Sequence, residues 1–113
     1  MAADTRNRPD GVTGLPEEVI EDLLASKRRR AVLSCLAEQD GPMVFADLAA
    51  AVWARGRTAT PDEIDPETRR RVRAEIYEHD LPKLTATGVV EYDSMRATVQ
   101  LTDSDIAGEL EKR

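Results

Sequence analysis

The sequence predicts an α+β domain, mostly helical, that leads into a small β-hairpin and carries a helix at each end of the fold. Three observations lead there. Apolar residues recur at helical spacing through four stretches before Gly88, two short runs after Gly88 alternate with period two, and Gly or Pro punctuates most junctions. With 113 residues and 4% aromatics, the chain supports one small domain whose core is filled by Leu, Val, Ile and Ala. No internal repeat and no second domain is evident.

Met1 to Gly14, broken by Pro9, Gly11 and Gly14, reads as a disordered N-terminal arm containing Arg6 and Arg8. The folded part is expected over 15–113. A first helix spans Leu15 to Ala25, with Glu17 and Glu18 complementing its dipole and Val19, Ile20, Leu23 and Leu24 on one face. Ser26 caps a second helix, Lys27 to about Gln39, whose apolar face is Val32, Leu33, Leu36 and Ala37, with Cys35 nearby. Asp40-Gly41-Pro42 ends it, and Met43, Val44 and Phe45 suit a short strand. A third helix follows from Ala46 to about Arg55. Its stripe of Phe45, Leu48, Ala49, Val52 and Trp53 assigns Trp53 to the core. Gly56 to Ile64 is a loop.

One long helix is expected over 66–87. Asp65 suits its N-cap, Pro66 its first position and Gly88 its left-handed close. Val72, Ile76, Tyr77, Leu81 and Leu84 face broadly one way, yet Arg73 and Asp80 fall near the middle of that stripe. Pro82 removes a backbone bond and pushes on the carbonyl of Glu78, which predicts a kink that rotates the two halves. Alternatively, Arg73 and Asp80 lie at a subunit interface. Val90 and Tyr92, a turn at Ser94-Met95, then Val99 and Leu101 make the hairpin. Thr102 or Asp103 caps a final helix at 104–112. Ile106 and Leu110 are too few to hold it in isolation, so it must pack on the domain or on a partner subunit.

A helix that opens with four arginines and runs straight into a hairpin has the sequence shape of a winged helix-turn-helix, whose early recognition-helix residues read DNA bases. Arg69, Arg70, Arg71 and Arg73 are the candidates for phosphate and base contact, since arginine reads guanine and grips phosphate bidentately. Lys27, Arg28, Arg29 and Arg30, with Arg55 and Arg57, would flank the duplex, and Arg96 is the one cation at the hairpin tip. The alternative is a solvated face balanced by Glu67, Glu75 and Glu78. Cations in the first turn of a helix oppose its dipole by about 0.3–1 kcal/mol each when exposed. Lys27 to Arg30 therefore need either an external anion or nearby acids, with Glu17, Glu18, Glu21 and Asp22 just upstream. The net charge of −6 argues against tight nonspecific nucleic-acid binding and favours a competing class, a protein–protein interaction module that does not bind DNA.

Other chemistries are poorly served. One His and one Cys exclude a zinc site built from several such ligands, and there is no phosphate loop or nucleophile elbow, so no enzyme, metal or cofactor is expected. Cys35 beside an apolar face reads as an inert thiol; a redox sensor would need an exposed thiol of low pKa. A single cysteine forms no intramolecular disulfide, and no apolar run approaches the roughly 18 residues of a membrane span. With no signal-peptide pattern, the expected location is cytoplasmic. Acidic excess with only Lys27, Lys83 and Lys112 as lysines points to a halophilic cytoplasm, although a GC-rich genome gives the same arginine bias. Because salt weakens phosphate attraction, a homodimer joined by the terminal helices would present the cationic patch twice.

The segments Ser-Lys-Arg-Arg-Arg-Ala-Val-Leu-Ser-Cys-Leu (26–36), Asp-Leu-Ala-Ala-Ala-Val (47–52), Leu-Pro-Lys-Leu-Thr-Ala-Thr-Gly-Val-Val-Glu-Tyr-Asp (81–93) and Ala-Thr-Val-Gln-Leu-Thr (97–102) resemble a family of small haloarchaeal proteins. That family carries an uncharacterised winged helix-turn-helix domain, and the resemblance, over roughly residues 17–103, implies transcriptional regulation. The family often shows Tyr-His-x-His-Leu-Pro where this chain has Tyr77-Glu78-His79-Asp80-Leu81-Pro82. Carboxylates replace both histidines, so no role of those imidazoles carries over.

Overall fold

A computed structural model describes residues 14–112. The arm expected over 1–14 therefore lies, Gly14 apart, outside the described residues. Helices α1 (Glu17–Leu24), α2 (Lys27–Ala37), α3 (Phe45–Ala54), α4 (Pro66–Glu75), α5 (Leu81–Ala86) and α6 (Asp105–Glu111) accompany strands β1 (Met43–Val44), β2 (Val90–Asp93) and β3 (Thr98–Leu101). The strands form one antiparallel sheet ordered β1-β3-β2, in which Val99 stands between Met43 and Tyr92. The expected α+β class is thus observed, in a layout compatible with a winged helix.

Local chemistry sets the boundaries. Ser26 Oγ accepts the Arg29 N–H at 3.2 Å, and Asp65 Oδ1 accepts that of Thr68 at 2.8 Å. The Thr68 N–H holds the Asp65 carboxyl below its ordinary pKa. Gly88 closes α5 with φ 80°, a conformation that a side chain would oppose. At the hairpin tip Asp93 Oδ1 accepts the N–H groups of Met95 and Arg96 at 3.0 and 3.2 Å.

Phe45, Leu33, Leu36, Leu48, Ile76 and Leu84 centre the core, and Ile106 of α6 is fully buried with them. α6 thus packs on its own domain, against α2. On α2 the inward position expected for Ala37 goes to Cys35, which is 3% exposed while Ala37 faces solvent.

The single helix expected over 66–87 is instead three pieces, α4, a π turn over Ile76–Asp80, and α5. The Leu81 N–H bonds to the carbonyl of Ile76, five residues back. Pro82 has no N–H with which to continue the α ladder through Glu78, and a wider turn just before it relieves the clash of its ring. The insertion also corrects a phase error. On an unbroken helix continuing the Val72–Ile76 line, Leu81 would fall on the opposite side and Leu84 roughly a quarter-turn away. One inserted residue sets both back toward the core, where they are 4% and 0% exposed. Tyr77, assigned to the stripe by sequence, is 53% exposed.

Candidate nucleic-acid interface

α4 turns Val72 toward α3 and the core. Helical geometry then places Glu67, Arg70 and Ala74 on the opposite side, flanked by Arg71 and Arg73, and all five are exposed. The Arg73 guanidinium lies 5.3 Å from the centre of the Phe45 ring. Phe45 in turn packs on Tyr77 and Tyr92, with centroids 6.3 and 5.8 Å away. This cluster ties the end of α4 to β2, so helix and hairpin present a common rigid edge. Arg69 is half-buried, with its Nε sealed from solvent and lacking a hydrogen-bond partner. Among the described residues Arg69, Arg70, Arg71 and Arg73 form no ion pair. Arg96 projects from the tip with its side chain 82% exposed, 3.9 Å from Asp93.

The cations opening α2 meet a different fate. Arg29 donates to the carbonyls of Leu23 and Asp22 at 2.9 and 2.5 Å, and Arg30 to that of Leu24 at 2.5 Å. These are the last carbonyls of α1, at its negative end, and that of Asp22 also accepts the Ala25 N–H at 3.3 Å. Arg28 Nε donates to Asp80 Oδ2 at 2.5 Å, and its Nη1 lies 3.5 Å from Glu75. Asp80 is 0% exposed, and its other oxygen lies 3.7 Å from Arg29, close enough for attraction but too far for a hydrogen bond. The carboxylate that falls inside the apolar stripe is therefore an internal counter-ion and not an interface group. Asp22 is occupied elsewhere: Lys83 bonds its carboxylate at 2.9 Å and draws its pKa down.

These contacts correct the expected site. Arg29, 9% exposed and bonded inward, leaves the set of candidate DNA-contacting residues. Arg28 is committed to Asp80 and Glu75, whereas Lys27 remains exposed. Trp53 is also displaced from the core reading: it is half-buried, with Arg57 5.2 Å from its ring centre. Burial raises the Cys35 thiol pKa despite Arg55 at 3.7 Å, which disfavours the reactive thiolate that a redox sensor needs.

Among the described residues no cluster of three or more His, Cys, Asp or Glu is placed to hold a metal, and no helix is long and apolar enough to cross a membrane. Fold and site thus define a small α+β domain that carries an arginine-faced helix beside a hairpin. The chain belongs to the family described as a domain of unknown function (DUF7344), whose model matches residues 21–100. No match is found among curated proteins or among solved structures.

Proposed function

We propose that the protein is a non-enzymatic, DNA-binding transcriptional regulator with a winged helix-turn-helix fold, in which α3 and α4 are the helix pair and β2–β3 is the wing. The observation that carries this reading is the outward face of α4, where Arg70, Arg71 and Arg73 stand exposed without a carboxylate partner among the described residues. Of the segment ahead of Gly88, Arg70, Arg71 and Arg73 keep their guanidinium groups outside while Arg69 is half-buried; on α2, Arg29 is drawn inward and Arg28 and Arg30 are half-buried. The resemblance of residues 17–103 to small haloarchaeal winged-helix proteins points the same way. One feature is unusual for the class: residues 55–65, with a 3₁₀ turn at Pro61–Glu63, join the helices, against a minimal turn of about 3–4 residues.

The regulator is further proposed to act as a cytoplasmic homodimer through α1, with the residues just before it, and α6, where Leu15, Val19 and Leu110 remain only partly buried. Sedimentation at high salt is expected to give twice the chain mass; a monomer contradicts the dimer. The interaction-module reading draws on Glu67, which shares the outer face of α4. Electrophoretic retention of fragmented genomic DNA at high salt separates the two. A regulator enriches discrete fragments, and failure to retain DNA at either high or low salt leaves the interaction module.

A further inference from the structure

We propose that a groove between α2, the end of α3 and α4 binds a small phosphorylated ligand with a planar or apolar body. Its volume is about 580 Å³, within the roughly 300–1,000 Å³ of small-molecule sites. Lys27, Arg28 and Arg30 line it from α2, Arg55 and Arg57 from the chain after α3, and Arg71 from α4, with Glu75 the sole carboxylate among its lining residues.

In a chain of net charge −6, this concentration of cations is not explained by internal pairing. Arg28 is balanced by Asp80 and Glu75, and Arg55 by Glu38 at 2.8 Å. Lys27, Arg30, Arg57 and Arg71 have no carboxylate partner among the described residues. The carbonyls of Leu24 and Trp53 bond Arg30 and Arg57, which fixes their direction while leaving their charge uncancelled. Like charges gathered in a concave, partly apolar site repel more than on open surface, and a polyanion relieves that repulsion. Phosphate suits best, because guanidinium forks bind its oxygens bidentately.

The other half of the lining is apolar. Val52, Val72 and the half-buried Trp53 border the groove. An inorganic anion would leave that surface unused, whereas a ligand with a ring beside its phosphates covers both parts. Arg70 and Arg73, on the outer face of α4, are not among the lining residues, so the groove lies on the flank of that helix and shares only Arg71 with the proposed DNA-contacting arginines of α4. This assignment stands whether or not α4 binds DNA.

Trp53 is the only tryptophan in the chain, so its fluorescence reports directly on the groove. Full-length protein titrated at low salt with adenosine diphosphate, and separately with pyrophosphate, is expected to show saturable emission changes, adenosine diphosphate binding the more tightly. The double variant Lys27→Ala/Arg71→Ala removes two exposed cations and is expected to weaken adenosine diphosphate binding by about tenfold or more. Lys83→Ala, which deletes a cation outside the groove, leaves it unchanged. A saturable response to neither anion overturns the proposal, as does equal weakening by Lys83→Ala. A response to a short DNA duplex but to neither small anion overturns it too, and assigns the groove to the nucleic-acid backbone.

Discussion

Replacing Asp80 with alanine is expected to lower the free energy of unfolding by about 3–5 kcal/mol, the usual cost of removing one partner of a buried ion pair. Asp80 is 0% exposed and Arg29 is 9% exposed, so water cannot replace the carboxylate beside Arg29, whereas Arg28, a third exposed, keeps Glu75. The carbonyls of Leu23 and Asp22 still accept from Arg29, but they carry no compensating charge. Against a total of roughly 5–15 kcal/mol for a domain of this kind, the loss is a large fraction. The effect extends beyond stability, because Asp80 pins the π turn to α2 and so fixes the angle at which α4 leaves the core. Asp80→Asn keeps the shape and an acceptor while losing the charge, and should fall between alanine and wild type. Urea denaturation measures all three; a loss for alanine below about 1 kcal/mol, the value of an exposed pair, contradicts the anchoring role.

The second large effect concerns binding. Combining Arg70→Ala, Arg71→Ala and Arg73→Ala is expected to weaken DNA affinity by more than about tenfold. Removing an arginine that grips phosphate lowers the slope of log affinity against log salt by about 0.9, and removing one that reads a base bidentately costs about 1–3 kcal/mol. All three residues are exposed, and the interaction at stake among the described residues is Arg73 over Phe45, a cation–π pair of about 0.5–1 kcal/mol. The variant should therefore melt close to wild type. Affinity and salt slope both unchanged would remove α4 from the interface.

What the sequence made legible was local. Ser26, Asp65 and Gly88 act on amides or backbone angles within a few residues, and the structure places them as their chemistry requires. The hairpin follows from its period-two alternation and its turn, and β1 joins it where Met43 and Val44 were expected to be extended. What escaped was set by distant partners. Arg28 meets Asp80 from 52 positions away, and Arg29 and Arg30 find the terminal carbonyls of α1, which carry no side-chain signature. Asp80 did announce itself as a carboxylate in an apolar stripe, but nothing nearby in sequence named its counter-ion. Pro82 foretold a disruption; its form, a π turn, is visible only in Leu81 and Leu84 being out of phase with Val72 and Ile76. The groove beside Trp53 was illegible for the same reason, since its cations come from three separate elements.

The most direct test of the regulator reading is a map of backbone amide shifts on adding a duplex selected by the protein itself. The account predicts that the largest changes fall on Glu67 to Ala74 of α4 and on Asp93 to Ala97 at the hairpin tip, with α1 and α6 little affected. Changes confined to α1 and α6, with the outer face of α4 silent, would contradict it.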